Sequence, residues 1–126
     1  MEKAAYNILI IEDNATIREV LKMGLELEGF SVSEAGDGAE ALAALEQSPR
    51  PNLILLDLLM PKMNGTEFVE RIKKDPSNPN AKIPIVVISA VANSAREKPL
   101  QVQEVLPKPL DFNELFGVVR RFCPAP

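Results

Sequence analysis

Short apolar runs alternate along this chain with stretches in which apolar residues return at every third or fourth position. The run YNILII (6–11) is a short, nearly continuous apolar stretch, which predicts a strand covered on both faces. Ile17, Val20, Leu21, Met23 and Leu27 then recur at helical spacing, and Gly29 marks the end of that helix. FSVSEA (30–35) alternates apolar with polar, which predicts a strand with one wetter face at a sheet edge. GAEALAALEQ reads as an Ala/Leu helix stopped by Pro49 and Pro51. NLILL (52–56) is a second buried strand, followed by a helix built on Phe68, Val69 and Ile72. IPIVVIS (83–89) is a β-branched fourth strand, and EVL (104–106) a short fifth. Between them, Asn93 to Glu104 contains Pro99 and lacks a clean apolar stripe, which predicts a short or irregular fourth helix. DFNELFGVVRRF closes the pattern, with Asp111 and Glu114 spaced as a capping box and Leu115, Val118, Val119 and Phe122 on one face.

Five strand–helix units in strict alternation imply an α/β fold, a doubly wound five-stranded parallel sheet with helices on both faces. There is no internal repeat, low-complexity segment or linker, and 126 residues suit one domain over 1–126. The formal net charge of -4 and acidic composition argue against a nucleic-acid surface, which is normally basic. A single cysteine, Cys123, excludes an internal disulfide and fits a reducing compartment. The absence of histidine removes imidazole metal sites, imidazole bases and phosphohistidine from this chain. The apolar run near the N-terminus is too short for a signal peptide and nothing approaches membrane-spanning length, so a cytoplasmic location with no membrane partner is expected.

In open parallel sheets the functional crevice lies beyond the carboxyl ends of the strands. Here those ends carry Glu12 and Asp13 after the first strand, Asp57 after the third, Ser89 after the fourth and Lys108 after the fifth. Asp57 is conspicuous, because a charge in an aliphatic run costs several kcal/mol unless something compensates it. Each residue alone has a plain explanation: a solvated loop acid, a helix cap, a strand-end hydroxyl or a surface lysine. Together they converge on one edge. Clustered acids repel and need shared protons or a divalent cation. An all-oxygen donor set suits a hard ion, Mg²⁺ or Mn²⁺, and a lysine and hydroxyl opposite it would complete a phosphoryl-binding site.

ILIIEDN, LILLDLLMPKMNG, VVISA and LPKPL, in this order after successive strands, resemble the receiver domain of two-component response regulators over essentially the whole chain. The best-known single-domain members of that family control bacterial chemotaxis. The resemblance implies a flavodoxin-like strand order 2-1-3-4-5 and a bacterial, cytoplasmic signalling phosphoprotein. It makes Asp57 the phosphoacceptor for a phosphoryl group from a sensor histidine kinase or histidine phosphotransfer protein. Asp13, Asp57 and the backbone carbonyl of Leu59 would hold Mg²⁺, with Glu12 acting through a metal-bound water. Lys108 and Ser89 would contact the phosphoryl oxygens, and small Ala90 would leave them room. The Lys108–Pro109 bond is expected to be cis. The output is a downstream protein target, the domain is a monomer or weak dimer, and it is not an enzyme beyond catalysing its own phosphoryl transfer and acyl-phosphate hydrolysis.

Two features depart from the family pattern. Val105 stands where the family usually has an aromatic switch residue, and the segment from Ser89 to Lys108 is shorter than usual. They favour an alternative, a phosphorylation-independent pseudo-receiver that only binds protein. The complete set of acids, hydroxyl and lysine favours a working phosphoacceptor. A haloacid-dehalogenase-type phosphatase would need a second acid where Leu59 stands, and there is no P-loop or G-x-G-x-x-G.

Overall fold

The computed structural model of the protein describes residues 6–47, 50–57, 65–89, 102–107 and 110–124. Five strands, β1 (Asn7–Ile11), β2 (Ser31–Ala35), β3 (Leu53–Asp57), β4 (Ile85–Ser89) and β5 (Glu104–Pro107), form one parallel sheet in the order β2-β1-β3-β4-β5. The described helices are α1 (Ala15–Leu27), α2 (Gly38–Leu45), α3 (Gly65–Lys73) and α4 (Phe112–Phe122). This is the doubly wound arrangement that the alternating pattern predicts. The wetter strand, β2, is at the edge, and the continuous apolar strands β1 and β3 are adjacent and buried throughout. None of the described helices is long and apolar enough to cross a membrane.

Strand side chains alternate between faces, so the sheet divides the core in two. Leu9, Ile11, Ile54, Leu56, Ile85, Val87 and Val105 pack with α2 and α3 through Ala41, Leu45, Phe68, Val69 and Ile72. Ile8, Ile10, Leu53, Leu55, Val86, Ile88 and Leu106 pack with α1 and α4 through Leu21, Leu25, Leu115, Val118 and Val119. Helices therefore cover both faces. At the amino end of the sheet, Asn7 and Asn52 fasten β1 to β3: the Asn7 N–H donates to Asn52 Oδ1 (2.8 Å) and the Asn52 N–H to the Asn7 carbonyl (2.7 Å).

Helix boundaries follow local chemistry. Asn14 caps α1 by accepting from the Ile17 N–H, and Asp37 caps α2 by accepting from the Glu40 N–H. Asp111 accepts from the Asn113 and Glu114 N–H groups, which supplies the N-terminal half of the expected capping box. At the end of α1, Gly29 adopts φ +97°, its N–H donating to the Glu26 carbonyl and the Phe30 N–H to the Leu25 carbonyl. That pair of bonds is a Schellman motif, and the positive φ explains glycine at this position.

Three details differ from the sequence pattern. The apolar positions of α1 do not all face the core: Leu21 and Leu25 are buried, whereas Ile17, Val20, Met23 and Leu27 are 40%, 47%, 58% and 86% exposed. The apolar arc of this helix is wider than the sheet beneath it can cover. β4 begins at Ile85 rather than Ile83, because a short 3-10 helix (Pro79–Lys82) uses Ile83 as its C-cap. That 3-10 turn had no counterpart in the periodicity. The expected irregular helix falls mostly on residues 93–101, which lie outside the described residues.

Cys123 ends α4 inside the core and is fully buried, and desolvation pushes its thiol up from 9.0 to about 11. A raised native pKa stabilises the fold fully below the unfolded value, and that contribution is lost as pH rises through the native value. Stability of the wild-type protein is therefore expected to fall between pH 9 and pH 11. In urea titrations across this window, a Cys123→Ala variant should lose less stability than wild type. Equal losses would show that burial does not raise the thiol above its unfolded value.

Candidate functional site

Register positions the first three candidate residues. Ile11 pairs with Leu56, so Glu12 and Asp57 follow at the same level on neighbouring central strands. Glu12 and Asp57 also share strand parity with Ile10 and Leu55, which point toward the α1/α4 side. Asp13 opens the β1–α1 loop. Carboxylate oxygens of Glu12, Asp13 and Asp57 lie within 4.8 Å of one another. Glu12 and Asp57 are buried, at 4% and 6% exposure, and Asp13 is exposed.

The loop that carries the acidic pair is tied from several sides. The Glu12 N–H donates to the Ala35 carbonyl at the end of β2 (3.0 Å). The Asn14 N–H donates to Glu12 Oε2 (3.1 Å), while the Asn14 side chain caps α1. From α1, Arg18 Nη1 donates to the Glu12 carbonyl (2.7 Å). Arg18 did not stand out in the sequence, because an arginine off the apolar stripe of a helix reads as ordinary solvation. No motif marks it.

Chemically the trio is a donor set that could hold a hard cation. Three carboxylates this close raise one another's energy, and two of them have little access to water. Oxygen-only donors, partly buried and backed by an apolar sheet, fit Mg²⁺ or Mn²⁺ better than a softer metal. On the same side a groove of about 290 Å³ runs from Glu12 between α1 and the start of α4, lined by Ile17, Val20, Leu21, Ile88 and Phe112 among others. An apolar groove thus opens beside the acids.

The remaining expected site residues are placed in part. Ser89 is the last residue of β4 and pairs in register with Pro107. Leu59, Ala90, Lys108 and Pro109, with the expected cis bond, lie outside the described residues. Val105 is a buried β5 residue paired with Val87, and packs as an aliphatic core residue on the α2/α3 side.

Crowded like charges make a direct prediction. Without divalent ions, Asp13→Asn should stabilise the fold by on the order of 1 kcal/mol, the Coulomb cost of a close carboxylate pair near water. Adding excess Mg²⁺ should then stabilise wild type more than the variant. Urea unfolding in EDTA and in Mg²⁺ measures both, and a variant less stable than wild type in EDTA contradicts the repulsion argument.

Comparison with known proteins agrees with this geometry. The model of the response regulator receiver domain family matches residues 8–120. A Haemophilus influenzae transcriptional regulatory protein, the CpxR homolog, is 35% identical over 116 residues, covering 90% of this chain and 48% of the relative. An uncharacterized 14.6 kDa protein of Leptolyngbya boryana is 33% identical over 123 residues, covering 95% and 92%. The chain thus spans about half the length of several curated relatives it matches and nearly all of another. Among solved structures, the receiver domain of a Pseudomonas aeruginosa sensor histidine kinase, with magnesium coordinated in its active-site cleft, superposes with a TM-score of 0.85. Its identity is 26%, and 97% of this chain and 100% of that one are covered. The Thermotoga maritima response regulator TrrA, in complex with Mg²⁺-BeF, gives a TM-score of 0.80 at 29% identity, with 93% and 98% covered. The chain belongs to the response regulator receiver domain family of two-component signalling.

Proposed function

We propose that this domain accepts a phosphoryl group on Asp57 from a partner's phosphohistidine and thereby switches a protein-binding face. The observation that carries this reading is the carboxylate trio at the carboxyl edge of the sheet, with Asp57 buried at the end of its central strand. A carboxylate oxygen of Asp57 attacks phosphorus, the P–N bond to the donor imidazole breaks, and the departing nitrogen takes up a proton. The product is an acyl phosphate, later hydrolysed by water. This chain needs no histidine of its own, since the activated phosphate arrives with the partner.

Glu12, Asp13, Asp57 and the Leu59 carbonyl would hold Mg²⁺ or Mn²⁺, which when bound supplies charge neutralisation for the transferring group. The chain's own residues do the rest. Asp57 is fixed by β3, Lys108 balances phosphoryl charge, and Ser89 donates a hydrogen bond to a phosphoryl oxygen. Phosphorylation adds roughly two negative charges at the crevice, enough to reorganise nearby loops. The domain works as a cytoplasmic, non-enzymatic switch, monomeric or weakly dimeric. Its partners are a sensor histidine kinase or histidine phosphotransfer protein and a downstream protein. The magnesium-bearing relatives support the metal, and the acidic surface argues against nucleic acid as a direct ligand of this domain. The exposed apolar arc of α1 beside the acids supports docking of the phosphodonor protein there.

Incubation with Mg²⁺ and acetyl phosphate, read by intact mass, tests the reading. One phosphoryl group should be gained by wild type and none by Asp57→Asn. No gain by wild type would favour the phosphorylation-independent pseudo-receiver, the alternative that Val105 suggests. In a second assay, Val20→Asp should slow transfer from a phosphorylated kinase domain several-fold more than it slows labelling by acetyl phosphate. An unchanged ratio would remove α1 from the docking face.

A further inference from the structure

We infer that Arg18 is a positioning residue for the acidic pair, holding the β1–α1 loop so that Glu12 and Asp13 present their carboxylates together with Asp57. The inference rests on the cation-binding role proposed for that trio. Arg18 is one guanidinium with two anchors. Its Nη1 donates to the Glu12 backbone carbonyl at 2.7 Å, and its Nε pairs with Glu34 Oε1 at 3.3 Å. Glu34 belongs to β2 and also pairs through Oε2 with Lys22 Nζ, one turn further along α1, at 3.3 Å. The arginine therefore ties three elements at one point: α1 that bears it, β2 that orients it, and the loop residue it grips.

Nearby contacts narrow its freedom further. A Cβ added at Gly36 would stand 3.6 Å from Arg18 Nη1 and 3.2 Å from Glu40 Oε2, so the guanidinium lies near the exit of β2. The Glu40 carboxylate in turn accepts from the Gly36 N–H (3.0 Å). Glu12 is held by its N–H to Ala35, by its carbonyl to Arg18 and by its carboxylate to the Asn14 N–H. Its N–H, its carbonyl and one carboxylate oxygen thus each have a partner, on β2, α1 and the α1 cap respectively. Arg18 has 22% side-chain exposure, which leaves it less screened than a fully solvated arginine.

Geometry and charge predict opposite outcomes, which makes the inference testable. Arg18 is a cation near a cation site, so its charge alone disfavours Mg²⁺, and deleting it would strengthen binding. Its hydrogen bonds fix the ligands, so deleting them should weaken binding. The planar fork that serves Glu12 and Glu34 at once is not reproduced by lysine.

Mg²⁺ binding by isothermal calorimetry on the full chain, with amide shifts of Glu12 to Asn14 followed by NMR and folding checked by thermal melts, separates the two. Arg18→Met is expected to weaken Mg²⁺ roughly tenfold, the lower end for residues that orient metal ligands. Arg18→Lys should restore only part of the loss, and Glu34→Gln should weaken binding less than Arg18→Met while shifting the same amides. If Arg18→Met does not fold, Arg18→Lys and Glu34→Gln carry the comparison. Binding by Arg18→Met as tight as wild type or tighter, or wild-type binding by both Arg18→Lys and Glu34→Gln, overturns the inference. Wild type that binds no Mg²⁺ overturns the cation reading, and this inference with it.

Discussion

Confinement of three carboxylates at the edge of an apolar sheet is the constraint on which the rest of the structure depends. Close acids are tolerated only if rigid backbone holds them and something positive answers them. β1 and β3 meet the first need, since both are buried throughout and lie side by side in the sheet. Neither strand has a solvent-facing position, so the polar groups collect at their ends, where the chain first reaches water. The apolar interior and the acidic site are therefore two results of one pattern.

The surrounding elements act mainly to hold that edge still. β2 offers the Ala35 carbonyl to Glu12 and sets Glu34 against Arg18. α1 is capped by Asn14 from within the acidic loop, so the loop and the helix begin as one unit. α4 closes the other side of the same face, with Leu115, Val118 and Val119 under the sheet and Arg120 paired to Glu28 at the far end of α1. Exposed ion pairs such as Arg121–Glu104 add little by comparison.

Much of this was legible in the residues, for identifiable reasons. The burial of β1 and β3 could be read because ILII and LILL have no polar interruption, whereas the strand order followed from the family resemblance. Glu12, Asp13 and Asp57 could be read because acids at the carboxyl ends of parallel strands must converge. Other features could not. Periodicity says that α1 is apolar on one side but not how much of that side the sheet covers, so Val20 and Leu27 looked like core. The 3-10 turn at Pro79–Lys82 is too short to leave a period, and it shortened the expected fourth strand. Arg18 has no sequence signature, because its role depends on a carbonyl six residues back and a carboxylate sixteen residues ahead.

The parity of the central strands limits which sequence changes this domain can survive. Leu53, Leu55 and Asp57 share one face of β3, and Ile54 and Leu56 share the other. Exchanging one aliphatic residue for another disturbs only packing volume. Losing or gaining a single residue within the strand instead reverses every later side chain, turning Asp57 toward α2 and α3 and an aliphatic residue toward Glu12. Insertions and deletions should therefore be confined to the connections, while the spacing from Leu53 to Asp57 stays fixed even as its letters drift.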